Sequence, residues 1–109
     1  MSNWNDQLKQ YDALVALCPR FDRKGKSVPY TSANGHMFSI LNKDAELGIR
    51  FSKEVQQRYI EEWGSDLFRS HGAIMHGYVL IPPAMLKDLD GLAVYLKESY
   101  DYVMSLDPK

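Results

Sequence analysis

Hydrophobic positions near the start of the chain recur with a helical spacing. Intervals of three and four residues place these side chains on one face of a helix. The apolar residues of this stripe are Trp4, Leu8, Tyr11, Val15 and Cys18. Pro19 follows and cannot continue a helix, so we expect a first helix from Asn3 to Leu17.

Three segments of strand length come next, separated by turn residues. The segments KSVPYTSA, GHMFSIL and AELGIRF are divided by Asn34-Gly35 and by residues 42–44, which predicts an antiparallel meander. In the third segment the apolar side chains alternate with Glu46, Gly48 and Arg50. This period of two is typical of a sheet covered on one side, so we expect the other side to be open to water or a ligand.

The second half of the chain predicts two more helical regions and two more strands. Ser52 is placed to cap a helix that Gly64 ends. DLFRS reads as an edge strand and GYVLI as a stronger one, before a terminal helix broken at Asp90-Gly91. The predicted order is α-β-β-β-α-β-β-α. This order is typical of a two-layer α+β domain with helices on one face of a five-stranded, mainly antiparallel sheet.

The composition is that of one ordinary globular domain spanning residues 1–109. Hydrophobic residues make up 45%, and 13 basic residues are balanced by 14 acidic ones. A net charge of −1 provides no general attraction to nucleic acid or anionic lipid. No segment approaches the ~18 apolar residues of a membrane span, and the first residues lack a signal-peptide pattern. We expect a cytoplasmic protein that does not bind membranes, with Cys18 buried as a small hydrophobe.

The strongest local charge lies in the segment RFDRKGK, residues 20–26, which we call the basic loop. It carries Arg20, Arg23, Lys24 and Lys26, and Tyr30 follows closely enough to offer a stacking face. Four phosphate contacts here would give a log–log salt slope of about −3 to −4. Nucleic-acid binding by this loop and a purely solvating role both remain open.

Neither the histidines nor the other polar residues show catalytic or metal-binding spacing. His71 and His76 are five residues apart, so on an extended strand they point to opposite faces and do not bind one ion. The HxxxH, HExxH, CxxC and GxSxG patterns are absent from the sequence. We therefore expect no metal, no cofactor and no enzymatic activity. A small-ligand site on the open sheet face is another hypothesis, with a lining of Tyr30, His36, Arg50 and His76.

Several motifs resemble the N-terminal domain of the TfoX/Sxy family of competence regulators. They are NGHMFSIL with Asn34-Gly35, ELGIRFSKEVQQRY with Arg50, IMHGYVLIP with Met75-His76-Gly77-Tyr78, and LAVYLKESYDYVMSLDPK with its final Leu106-Asp107-Pro108-Lys109. The resemblance covers roughly residues 24–109. It implies an α+β architecture, one shared with dimeric secretion chaperones, and a regulatory role without a catalytic centre.

Two features depart from the family pattern. The Met-Phe-Gly-Gly-like first strand of the family is replaced here by residues 28–32, VPYTS, and the second domain of full-length regulators is expected to be missing after Lys109. The last helix is rich in the residue types that interfaces favour, and a small sheet has edges to pair. These helix residues are Tyr95, Tyr100, Tyr102 and Met104. We expect a homodimer that acts through contacts with an unknown partner protein.

Overall fold

A computed structural model describes residues 4–109 and confirms the predicted order of elements. The elements are α1 (Trp4–Ala16), β1 (Tyr30–Ala33), β2 (His36–Leu41), β3 (Leu47–Arg50), α2 (Lys53–Trp63), β4 (Leu67–Ser70), β5 (Ala73–Leu80), a 3-10 turn (Pro83–Lys87) and α3 (Leu89–Met104). The five strands form one antiparallel sheet in the order β1-β2-β3-β5-β4. The predicted start of the first helix at Asn3 lies outside the described residues.

Local sequence signals set the ends of α2. The hydroxyl of Ser52 accepts a hydrogen bond from the Val55 amide at 3.3 Å, which satisfies one of the free N–H groups of the first turn. Gly64 ends the helix with a left-handed φ of 60°, and its amide bonds back to the carbonyl of Glu61. Both ends agree with the prediction.

The terminal helix breaks at Asp88 rather than at Asp90-Gly91. Oδ1 of Asp88 accepts a hydrogen bond from the Gly91 amide at 3.1 Å, so Asp88 caps α3 and Asp90 lies in its first turn. Aspartate is favourable both at the cap and in the first turn, because each position faces the positive end of the helix. The break predicted from the sequence therefore lies two residues too far toward the C-terminus.

Polar side chains attach α3 to the sheet. Asn34, in the two-residue turn between β1 and β2, donates from Nδ2 to the carbonyls of Val103 at 3.0 Å and Leu106 at 2.9 Å. The hydroxyl of Ser99 lies within hydrogen-bond distance of the carbonyls of Phe38 and Arg50. These bonds fix the position of α3 against the first three strands.

The main core fills the space between the sheet and the helices. Its members include Leu14, Cys18, Phe38, Leu41, Ile49, Phe51, Val79, Leu92, Leu96 and Val103. Within it the Tyr11 hydroxyl lies 2.6 Å from Ser39 Oγ, which in turn bonds the hydroxyl of Thr31. Burial raises the pKa of the Tyr11 phenol well above its ordinary value, so Tyr11 stays protonated and hydrogen-bonded.

The second face of the sheet is partly covered, which corrects the expectation of an open face. Ile40, Phe68 and Tyr78 form a second buried cluster there, and Gly48 lies beneath the ring of Phe68. Partly buried residues packed around this cluster are Val28, Tyr30, Met37, Met75 and Leu80. The alternation within β3 could not reveal this cover, because the covering side chains come from the other strands and the segment before β1.

Both edge strands make hydrogen bonds with segments outside the sheet. On the free side of β1, the backbones of Lys24 and Tyr30 exchange two hydrogen bonds, of 2.8 and 2.9 Å. Asn42 Nδ2 donates to the carbonyl of Arg69 in β4, the other edge strand, at 2.9 Å. The bridge between Lys24 and Tyr30 occupies part of the free edge of β1, where another chain could otherwise pair. The exposed edge therefore adds less to the case for a homodimer than we expected.

Candidate functional site

The basic loop is held against two helices by its arginines. Arg23 makes a two-pronged ion pair with Asp12 of α1, with N···O distances of 2.7 and 3.1 Å, and this pairing raises the pKa of Arg23. Arg20 lies 3.6 Å from Asp101 of α3. Within residues 4–109, Lys24 and Lys26 have no carboxylate within ion-pair distance. Among the described residues, the loop thus presents two cations without an ionic partner rather than four.

The four residues predicted to line a ligand site lie in three places. Tyr30 packs against the second cluster, and Nε2 of His36 is 2.9 Å from the carbonyl of Asp107 near the end of the chain. Arg50 and His76 line one shared cavity. The structure therefore brings two of the four together.

His71 and His76 line different cavities, and the parity argument does not apply to them, because His71 has a φ of 54° and is not on an extended strand. His71 lies in the turn between β4 and β5 and lines a cavity with Asp44, Glu46 and Asp66, whereas His76 lies on β5. In the part of the chain that the structure describes, no three metal-ligating side chains are grouped to hold an ion. Nor does any helix within that part combine the length and apolar character needed to cross a bilayer.

The cavity shared by Arg50 and His76 has a volume of about 310 Å³, and we call it the cationic pocket. Arg50 comes from the end of β3, His76 from β5 and Lys53 from the first turn of α2. Gln56 and Tyr102 complete its polar lining. The pocket thus gathers two cationic side chains that are three residues apart in sequence, and an imidazole from β5.

A larger surface depression lies between α2 and α3, and we call it the α2–α3 groove. It has a volume of about 670 Å³. Its lining residues are Tyr59, Ala84, Met85, Asp88, Gly91, Leu92, Val94, Tyr95 and Glu98. One wall is aromatic, since Tyr59 stacks on Trp63 with ring centroids 4.4 Å apart, and Tyr95 meets Trp63 edge-on at 4.9 Å. Beside this wall Val94 is 62% exposed.

The charged residues of the groove lining are both acidic. The Tyr59 hydroxyl donates a hydrogen bond to Glu98 Oε1 at 2.6 Å, and Asp88 lies at the start of α3. Burial and the bond to Glu98 raise the pKa of Tyr59. Arg58 does not line the groove, but its guanidinium is 5.1 Å from the centre of the Tyr59 ring and attracts Glu98, so it offsets part of that charge. The groove therefore combines an aromatic wall and apolar floor with negative charge.

Sequence reasoning missed the groove, although its residues carry a signal. Tyr95 was expected only as one of several interface-prone residues of the last helix, and the spacing of residues within one helix does not show whether a third element fills the space beside it. The 3-10 turn instead supplies only small and flexible side chains, Ala84 and Met85. The signal for the groove in the sequence was the adjacent apolar pair Val94-Tyr95. In the structure Val94 is exposed and Tyr95 is half-buried, so the pair leaves apolar surface in contact with water.

Comparisons with known proteins supply no relative from which to assign this surface. No family model matches the chain, and no curated protein is significantly similar to it. The resemblance to the TfoX N-terminal domain stays a prediction from the sequence motifs.

Proposed function

We propose that this protein is a non-catalytic regulatory domain, similar to the N-terminal domain of TfoX/Sxy regulators, that binds a partner protein through the α2–α3 groove. One observation carries the proposal: Val94 is 62% exposed in the lining of a groove that also contains Tyr59, whose ring stacks on Trp63. An exposed apolar side chain beside an aromatic wall gains free energy when a partner removes it from water. Aromatic residues are also enriched in the buried centres of interfaces.

The charge of the groove defines its occupant. Asp88 and Glu98 favour a cationic partner, while the wall and the floor favour an apolar one. The occupant is therefore a partner segment that places one large apolar side chain in the groove and flanks it with lysine or arginine. Opposite charge at the margin chiefly raises the association rate and the specificity, whereas the buried apolar anchor supplies most of the affinity.

The hydrogen bonds of two buried serine hydroxyls support a role without catalysis. Ser39 bonds to the hydroxyls of Tyr11 and Thr31, and Ser99 bonds to backbone carbonyls of the sheet. A nucleophilic serine needs a base that removes its proton. The bonds of Ser39 and Ser99 instead hold α1 and α3 on the sheet, which is a structural use of these groups.

A display selection of random peptides against the folded protein tests the groove. We expect the selected peptides to carry a large apolar residue flanked by lysine or arginine, and to change the fluorescence of Trp63. The substitution Val94→Asp should weaken their binding at least 10-fold, because it places a charge where the anchor packs. Leu17→Asp is the matched control, since Leu17 is also an exposed aliphatic residue on a different part of the surface. Peptides without cations, or with full affinity for Val94→Asp, would contradict the proposal.

A homodimer is the second part of the proposal, and its support comes from α3. Met104, near the end of this helix, is 48% exposed, whereas Tyr100 stacks on Phe21 within the molecule. We expect light scattering at high concentration to give twice the 12.5 kDa mass of one chain, and Met104→Glu to reduce it to one chain. A mass of 12.5 kDa for the unmodified protein at every concentration would overturn this part.

The proposed setting is the cytoplasm, where a regulator of this kind meets its partners. The basic loop leaves nucleic-acid binding as the alternative function. Support for that alternative is weaker, since Arg23 is paired with Asp12 and Arg20 lies close to Asp101. Gel-shift measurements at low and high salt distinguish it from binding in the groove, which depends on Val94.

A further inference from the structure

The cationic pocket has the chemistry of an anion site that is separate from the groove. It lies where β3 ends and α2 begins, and β5 forms another side. Its full lining is Arg50, Phe51, Lys53, Gln56, His76, Gly77 and Tyr102. None of these seven residues is acidic, so no carboxylate of the lining competes for the cations.

Arg50 is positioned in the pocket without an ionic partner. No carboxylate of residues 4–109 lies within ion-pair distance of its guanidinium, whose carbon is 5.7 Å from the centre of the Tyr102 ring. Gly77 makes room for the Arg50 side chain, because a Cβ at that residue would lie 3.3 Å from Arg50 Cγ. The ring and the glycine thus orient a guanidinium whose charge stays available to a ligand.

Lys53 and His76 add donors from two other elements. Along the described chain neither side chain is within ion-pair distance of a carboxylate, and both are exposed. Gln56 is held by a 2.9 Å bond from Nε2 to the carbonyl of Tyr78, which leaves its Oε1 as an acceptor in the lining. Glu54 follows Lys53 on α2 but does not line the pocket.

We propose that the cationic pocket binds the phosphoryl group of a small molecule, with Arg50 and Lys53 as its main ligands and His76 at the margin. A guanidinium presents paired N–H groups that match two oxygens of a phosphate, and an ammonium adds a compact charge. The volume of about 310 Å³ is at the small end of the range for small-molecule sites, enough for a phosphoryl group and a small carrier. A recess of this size does not follow a nucleic-acid backbone, and the chain's net charge of −1 provides no general attraction to one.

Titration of the isotope-labelled protein, followed by amide NMR, tests this site. The probes are inorganic phosphate and ribose 5-phosphate, each at an ionic strength matched with sodium chloride. We expect saturable shifts of the amides of Lys53, His76 and Gly77. Arg50→Gln and Lys53→Gln should each weaken binding about 10-fold, because each removes a charge-assisted hydrogen bond. Lys9→Gln is the control, since Lys9 is an exposed lysine on α1 outside the pocket lining.

The two probes distinguish the source of the phosphoryl group. Tighter binding of ribose 5-phosphate supports a carried phosphoryl group, and equal binding supports free phosphate at the same site. Shifts that rise in proportion to concentration without saturating, or that are unchanged in both variants, would overturn the proposal. If Arg50→Gln does not fold, the binding of phosphate by Lys53→Gln tests the site alone. Lys53 is exposed, so its replacement does not disturb the fold. A single-stranded oligonucleotide that produced the same shifts at lower concentration would also overturn the assignment to small molecules.

Discussion

The ring of Phe68 lies directly over Gly48, although β5 separates their strands in the sheet. A methyl group added to Gly48 would stand 2.5 Å from Cγ of that ring, which is far inside normal contact distance. Phe68 is fully buried by this arrangement. The absence of a side chain at one position of β3 therefore lets β4 cover the outer face of the sheet.

Gly48→Ala is expected to destabilise the protein by about 1–3 kcal/mol, because the added methyl group overpacks the second cluster. Urea unfolding monitored by tryptophan fluorescence measures this loss. In a Phe68→Ala background the same substitution should cost much less, since the ring is no longer there. An equal loss of stability in the two backgrounds would show that contact with the Phe68 ring is not what excludes a side chain at Gly48.

Asn34→Gly is expected to lower the free energy of unfolding by about 1–3 kcal/mol. Glycine tolerates the φ of 57° at this turn position, so the loss comes from the two hydrogen bonds to the end of α3. Thermal unfolding gives the stability, and hydrogen exchange of the last turn of α3 gives its location. A variant as stable as the parent protein would contradict the role of Asn34 in attaching this helix.

Stability is expected to fall as the pH rises above about 10. Burial raises the pKa of Tyr11 and of Tyr78 above the ordinary value of 10.0, so the folded protein keeps protons that the unfolded chain releases. The contribution of these phenols is complete below pH 10 and is lost progressively above it. Unfolding in urea at several pH values measures the slope. Tyr11→Phe and Tyr78→Phe should each make the decline shallower, and an unchanged decline in both would contradict the assignment.

Arg23→Gln is expected to destabilise the protein, whereas Lys24→Gln leaves stability unchanged. Arg23 ties the basic loop to Asp12, and a partly exposed pair of this kind contributes about 0.5–1 kcal/mol. Denaturant unfolding of the two variants provides the comparison. Where nucleic acid binds at all, the two unpaired lysines predict a log–log salt slope of about −2 rather than −3 to −4. A steeper slope would require the paired arginines to leave their carboxylates.

The sequence predicted those parts of the fold that local signals determine. The period of three and four residues in α1, the Ser52 cap and the Asn34-Gly35 turn each act over a few residues, and each is observed. The break in the terminal helix was placed at Asp90-Gly91 instead of Asp88, because an aspartate is favourable at the start of a helix in either position. The cover of the outer face was missed because it depends on Phe68 reaching across β5, a relationship between distant segments.

The candidate sites were less predictable than the fold, for the same physical reason. The basic loop is a cluster in sequence, yet Asp12 and Asp101 come from distant helices to neutralise half of it. Arg50 and His76 were expected to lie together and do line one cavity, but His36 was not brought to them. It bonds near Asp107 at the end of the chain instead. Charge and aromaticity can be read from a sequence, whereas the partners that surround a group cannot.

Hydrogen exchange of the protein with a selected peptide bound tests the central claim most directly. The account predicts that slowing of exchange is concentrated in α2, the 3-10 turn and the first half of α3, the segments that line the groove, and is absent in Val94→Asp. Protection confined to the basic loop or to the outer face of the sheet, with none between α2 and α3, would contradict it.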